Sequence, residues 1–583
     1  MTILRELESR LAAALDAVAG PDSAPFAEVT HAADLRFGDY QSNAAMVLAK
    51  QQRRNPRQLA SEIIGALAID DLATAEPAGP GFINFRIRPE AWASRARTLL
   101  DDPKLGAPSP GEGITVVVDF SAPNVAKPMH VGHIRSTIIG DALGRIARFL
   151  GFKVIADNHI GDWGTQFGMI LHGWKTLRNE EALEHDPIPE LLRIYREVNA
   201  RAKEDPAVMD TCRAELVKLQ AGDRENTEVW RKCVDLSKQG LSRIYDALGV
   251  SFDHWLGESF YNDRLAPLVT ELLEQGIARE SNGAVCVFSD HSLAPGEDPF
   301  MVHKENGWTD NPAIIRKADG GFLYATTDLA TLEFRIREWK ADRIWYVVGV
   351  PQTLHFRQIF ATAQRWGKHA DLRHIAFGSI LGEDRKLMKT RSGDNVQLAD
   401  VLEEAVDRAS RTLAEKNPEL TGEAATQTAR MVGIGAVKFA ELSQNRLTDY
   451  VFAWDRMLSL QGDTAPYLQY SSVRIRSIFR KLDGETPPLP ATLTLSAPEE
   501  IHLARLHARF GELLPSVIED FRPNLLANYL LELARAFHSF FEACPVLKSP
   551  EPARSSRLAL CTLTSRILET GLDLLGIQCP ERM

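Results

Sequence analysis

Cysteine is scarce in this chain, and none of it is paired in sequence. The 583 residues hold six, at positions 212, 233, 286, 544, 561 and 579, and no two form a C-x-x-C pair. That spacing speaks against a zinc module and against a disulfide framework, and it fits a reducing compartment. Long apolar runs are missing too: none approaches the roughly 20 residues that a spanning helix requires. The opening MTILRELESRLAAALDAVAG is amphipathic, but Glu6, Glu8 and Asp16 make it neither a secretory leader nor a good transit peptide. Internal repeats and low-complexity tracts do not stand out. Positive charge is in deficit, 67 Lys and Arg against 78 Asp and Glu, for a net −11. A polyanion would therefore have to meet local basic patches. These absences fit a cytoplasmic protein with no membrane association and no tightly bound metal; a monomer is expected.

What is present divides into three parts. Residues 1–110 read as an α+β domain that opens on an amphipathic helix, with RFGDYQSNAAMVLAK as a loop and helix and GPGFINFRI as a turn and strand. DDPKLGAPSPGEG, 101–113, has the composition of a linker. Over 111–450, strands ITVVVDF, FKVIADN, RIWYVVGV and RHIAFGSI alternate with helical stretches, which predicts a Rossmann-type, doubly wound parallel sheet. A charged, helix-rich insert is expected at about 175–300. Residues 451–583 carry a helical period almost throughout and predict an all-α bundle.

The most informative stretch is SAPNVAKPMHVGHIRSTIIGDALG, 121–144. It follows the β-branched run Thr115–Val118, which reads as a buried parallel strand. Pro123 and Pro128 fit a loop. From about Val131 the apolar residues Ile134, Ile138, Ile139, Ala142 and Ile146 recur at helical spacing. His130 and His133 thus stand where a loop becomes a helix, three apart and on one face. Free backbone N–H groups and the positive end of the helix dipole make such a place an anion site. Gly132 between them lets a flat base or a backbone come close.

Other residues form weaker patterns. Arg385-Lys386-Leu387-Met388-Lys389-Thr390-Arg391 is a basic loop just after the strand HIAFGSI. Asp119 ends the first strand, and Asp328 follows Tyr324 by four, one helical turn. Read by itself, Asp328 is a cap on the helix LATLEFRIREW. Near the C-terminus, Arg474, Arg476, Arg480 and Lys481 share one predicted helix, and Arg505 and Arg509 another. Cationic helices with Tyr467, Tyr470 and Phe479 nearby suit a phosphate backbone and unpaired bases.

Taken together, these stretches resemble the class I aminoacyl-tRNA synthetases, and within them the arginyl-tRNA synthetases. The HIGH-type signature runs from Pro123 to His133, and IRSTIIGD and NHIGDWGTQFG follow it. FGDYQSN and GPGFINF resemble the family's additional tRNA-contacting domain. GDTAPYLQYSSVRIRSI and the closing LLGIQCPERM resemble its anticodon-binding domain. The KMSKS-type loop departs from consensus: aligned through Thr390-Arg391, the place of its first lysine falls on Leu387, with Lys386 and Lys389 adjacent. The resemblance implies a ligase that joins L-arginine to tRNA(Arg) through an arginyl-adenylate, with ATP and Mg2+ as the substrate complex. It implies catalytic roles for His130, His133, Lys127, Lys386 and Lys389. It implies ATP contacts from Pro128, His130, Gly132, His133, Met388 and Lys389. For arginine it implies Ala122, Pro123, Asn124, His133, Tyr324, Asp328 and Gln352, with Asp119 as a further acid. For tRNA it implies Phe37, Asn43, Tyr467, Tyr470 and Arg474.

Overall fold

The structure, a computed structural model, describes all residues except Met1, Glu383, Leu387, 389–395 and 483–487, and omits the side chains of Thr165 and Asp455. Lys389, expected at the phosphates, lies outside the described residues, as do Leu387, Thr390 and Arg391. The chain forms two compact units: residues 1–110 with 460–573 and 578–583, and residues 111–459 with 574–577. No helix among the described residues is long and apolar enough to cross a membrane.

The second unit is built on a four-stranded parallel sheet in the order Asp371–His374, Arg343–Tyr346, Thr115–Asp119, Lys153–Asp157. Val116, Val117 and Val118 are fully buried, as a central parallel strand covered on both faces requires. The chain runs outward in both directions from Thr115–Asp119, so the strand order reverses beside it. Ligand sites in such sheets lie at that reversal, beyond the carboxyl ends of the strands. Register places Asp157, Asp119, Tyr346 and His374 in one row at that edge. The helix His133–Phe149 follows the first strand and buries Ile134, Ile138, Ile139, Ala142 and Ile146, as their spacing predicts.

The insert is helical from Thr165 to Leu248, ending in the long helix Arg224–Leu248. Its core includes Phe167, Ile170, Leu171, Trp174 and Leu191, and it closes over Val125 and Ala126 of the loop that precedes the histidines. The stretch expected as a helix-rich insert to about 300 has a further helix, Asn262–Glu274, and then turns to strands. Beyond Asn262–Glu274 the chain forms a three-stranded antiparallel sheet, Ala313–Arg316, Ala284–Val287 and Ala278–Ser281, and a hairpin of Met301–Lys304 with Gly307–Asp310. These strands are four residues long, too short for a period of two to stand out from charged neighbours.

In the first unit a four-stranded antiparallel sheet carries Phe82–Ile87, the strand read from GPGFINFRI, beside Ala73–Ala78. That second strand has little β-propensity and contains Pro77; it lies at the sheet edge, where a missing N–H is tolerated. The helices Ala465–Arg480, Pro498–Glu519, Pro523–Ala543 and Ala553–Leu574 complete the unit. Glu512 ties its two sequence segments together, accepting from Leu4 N at 2.9 Å and from Tyr40 OH at 3.0 Å.

Candidate active site

The two histidines form one hydrogen-bonded turn. His130 N–H donates to His133 Nδ1 at 3.1 Å, and Gly132 N–H donates to His130 Nδ1 at 3.1 Å. The ring centroids are 4.0 Å apart. Both Nδ1 atoms accept, so each neutral ring carries its proton on Nε2 and keeps that N–H as a donor. Burial, and then the neighbouring His130, holds the His133 imidazole down at about 4. Burial also lowers His130. A Cβ on Gly132 would meet the His130 ring at 2.9 Å.

The sequence reading expected free backbone N–H groups here, and the structure corrects it. His133 N–H donates to His130 O at 2.9 Å, Ile134 N–H to Val131 O at 3.0 Å, and Val131 N–H to Val396 O at 2.9 Å. The turn takes up the amides of His130 to Ile134, and its side-chain donors to an anion are the imidazole Nε2–H groups. The Val131 contact has a second use. With Leu398 N–H on Met129 O at 2.9 Å, it clips residues 396–398 against the histidine turn.

Other expected phosphate ligands are spread out. Lys386 is exposed, its backbone held by Asp384 Oδ1 at 3.1 Å. Met388 is half-buried. Lys127 Nζ rests 4.9 Å from the centroid of the Tyr195 ring in the insert. There, with Pro128, Leu192, Arg196 and Leu402, it lines a cavity of about 830 Å³.

Acidic groups gather at the sheet edge. Asp119 Oδ2 and Asp157 Oδ2 each accept from Arg335 Nη2 at 2.7 Å, all three side chains being buried. A substrate guanidinium reaching Asp119 would have to share it with Arg335. Tyr324 opens the helix Tyr324–Arg337, and Asp328 lies one turn further on. The capping alternative for Asp328 therefore fails, because the helix begins four residues before it. Asp328 Oδ2 lies 2.5 Å from His355 Nε2. Tyr324 is 71% exposed. Gln352 ends a short turn beyond the strand Arg343–Tyr346 and is exposed.

Glu258 completes this group, and no motif in the sequence pointed to it. Burial, followed by the charges of Asp162 and Asp328, pushes its carboxyl up to about 8. Its own charge in turn raises the Tyr324 phenol, after burial. Asp162 is fixed below it, accepting Ser259 N–H at 2.9 Å and Ser259 Oγ–H at 2.6 Å. The loop 122–124 stands alongside: Ala122 and Asn124 are exposed and Pro123 is buried. Asn124 bridges to Gly161, whose Cβ, were there one, would meet Asn124 Oδ1 at 2.3 Å. A buried group of carboxyls with excess negative charge is a place for a cation. Two neutral imidazole donors at the same sheet edge suit an anion.

Residues 96–454 match the family described as tRNA synthetases class I (R), catalytic domain. The chain belongs to this family. Residues 5–87 match the arginyl tRNA synthetase N terminal domain, and 468–583 the DALR anticodon binding domain. The chain is 43% identical over 591 residues to the arginine–tRNA ligase of Hahella chejuensis, covering 100% of both. It is 44% identical over 595 residues to that of Cellvibrio japonicus, again covering 100% of both. It is similar to the solved arginyl-tRNA synthetase of Thermus thermophilus, with TM-score 0.82, 27% identity and 100% of both chains covered. The crystal structure of the Plasmodium falciparum enzyme gives TM-score 0.83 at 27% identity, covering 100% of this chain and 99% of that one.

In this class I synthetase the candidate tRNA residues lie in the first unit. Phe37 is 54% exposed at the end of a short turn, and Asn43 is exposed before the helix Ala44–Gln52 with no capping bond from its side chain. Tyr470 is exposed on Ala465–Arg480, and Tyr467 is half-buried. The Arg474 guanidinium lies 4.8 Å from the Phe541 ring centroid. Other arginines of the predicted cationic faces are already paired: Arg476 with Glu569 at 2.9 Å, Arg505 with Asp39 at 2.7 Å and Arg509 with Glu532 at 2.9 Å.

Proposed function

We propose that this site activates L-arginine with ATP and passes the arginyl group to tRNA(Arg). The arginine carboxylate attacks the α-phosphorus, the adenylate forms and pyrophosphate leaves. The ribose hydroxyl of the terminal adenosine of tRNA then takes the acyl group, and AMP leaves. No protein nucleophile is required; the protein positions the reactants and stabilises developing charge. Magnesium arrives with the ATP phosphates as part of the substrate.

The juxtaposition of Glu258, Asp328 and Tyr324 carries the reading. Glu258 lies near enough to Asp328 for that charge to raise its carboxyl, and near enough to Tyr324 to raise the phenol, a set suited to a planar, five-donor cation. Burial and the charges of Asp162 and Asp328 raise Glu258; a guanidinium beside it would favour the carboxylate. Asn124 and Gln352 offer polar ends for the rest of the amino acid. The Nε2–H groups of His130 and His133 donate to the phosphates, with Gly132 leaving room. Lys386, Met388 and Lys389 serve the nucleotide from the basic loop, and Lys127 does so only by leaving the Tyr195 ring. Phe37, Asn43, Tyr467, Tyr470 and Arg474 contact tRNA. All six cysteines are free thiols, five of them buried, which supports a reducing, cytoplasmic setting.

Pyrophosphate exchange tests this with the full chain, with and without tRNA. Exchange that depends on arginine, and charging of tRNA(Arg), are expected. Exchange indifferent to arginine would overturn the assignment of the acidic pocket.

A further inference from the structure

The loop before the histidines holds an uncommon backbone. Ser121 lies at φ 72°, Ala122 at 46° and Ala126 at 60°, left-handed positions that residues with a Cβ rarely take unless their surroundings impose them. Hydroxyl groups do so here. Ser121 Oγ lies 2.8 Å from Thr137 Oγ1 and 2.7 Å from Tyr245 OH. Thr137 Oγ1 lies 2.8 Å from His133 O, and Asn158 Nδ2 3.1 Å from Tyr245 OH. Ala122 N–H is shared between Asn158 Oδ1 at 3.2 Å and Phe120 O at 3.0 Å. Ser121, Thr137, Tyr245 and Asn158 are all buried.

The number of protons sets the direction of this chain. A carbonyl only accepts, so Thr137 commits its one hydroxyl proton to His133 O. Thr137 Oγ1 then accepts from Ser121, and Ser121 Oγ accepts from Tyr245. Tyr245 OH accepts from the amide of Asn158. Four side chains thus link the arginine loop at Ala122 to the start of the histidine helix, every hydroxyl serving once as donor. Tyr245 is the member supplied by the insert, from the helix Arg224–Leu248. The same helix supplies Ser237 Oγ, which accepts Ala126 N–H at 3.0 Å.

We propose that Tyr245 is a positioning residue for arginine activation: it holds the left-handed turn at Ser121-Ala122 in register with His133, so that the insert sets the geometry between the arginine loop and the phosphate donors. This rests on the assignment of Ala122–Asn124 and His133 to the site.

Tyr245→Phe in the full chain, assayed by arginine-dependent pyrophosphate exchange at saturating tRNA, tests it. A misplacement far from the reacting atoms costs up to about 10²-fold, so kcat is expected to fall at least roughly tenfold while both KM values and Tm stay near those of the parent. Thr137→Val breaks the chain at its other end and should give a loss of the same size. The double variant should lose no more than the worse single, because a chain broken once is already open. Unchanged kcat in Tyr245→Phe, multiplied losses in the double variant, or a kcat loss matched by a fall in Tm would each overturn the proposal. His133→Ala run in parallel separates the two readings. If it keeps full exchange, the site assignment fails; if it abolishes exchange while Tyr245→Phe does not affect it, only the positioning role fails.

Discussion

His133 Nδ1 accepts the backbone N–H of His130 at 3.1 Å. That bond fixes the tautomer and turns the Nε2–H of His133 away from its own backbone, ready for an acceptor. Removing one preorganised donor to developing charge costs about 10²–10³ in rate. His133→Ala is therefore expected to lower pyrophosphate exchange by that factor and to move Tm little. Loss of activity and of Tm together would make this a structural histidine.

The same histidine shapes acid stability. Its folded pKa, about 4, lies below the 6.5 usual for a histidine. In the unfolded chain it takes a proton as pH falls through 6.5, whereas in the folded chain it stays neutral until about 4. Its contribution is thus fully present above 6.5, is lost as pH falls from there to 4, and is constant below. His133→Ala should flatten that part of the Tm-against-pH curve between 6.5 and 4. An unaltered slope would mean that His133 titrates normally.

Glu258 gives arginine binding its own pH dependence. Near 8 in the free protein, the carboxyl is mostly protonated at pH 7; pairing with a guanidinium would release that proton. The arginine KM is expected to fall as pH rises from 6.5, by at most about tenfold per unit, and to level off above 8. Glu258→Gln should abolish the slope. Asp328→Asn removes one charged acceptor, worth roughly 1.5–3 kcal/mol, and should raise the arginine KM about tenfold or more with the ATP KM unchanged. If the arginine KM is flat with pH in the parent, the pocket does not hold the guanidinium.

Tyr470 is 44% exposed, so its loss should leave the fold intact. Stacking on a base is worth about 1–3 kcal/mol, and Tyr470→Ala is expected to raise the tRNA KM while, at saturating tRNA, the KM values for arginine and ATP hold. A tRNA KM equal to that of the parent would remove Tyr470 from the RNA surface.

Local chemistry by itself determined a good part of this protein. The β-branched run Thr115–Val118, the helical spacing from Ile134 and the two histidines at a helix start are patterns within a few residues, so the parallel strand, its helix and the paired rings were legible in order. Tyr324 and Asp328 were legible as one turn for the same reason. Tertiary structure alone decided the rest. Glu258 meets Asp328 only because the chain returns to the sheet edge after the insert, and its displaced pKa comes from burial, which no spacing encodes. Arg335 reaches Asp119 and Asp157 because register sets those two carboxylates side by side. The amides of the histidine turn are taken up by their own neighbours and by Val396, and Tyr245 reaches Ser121 from a distant helix. Short-range periodicity decides which elements form; the groups that lose water together are decided by packing.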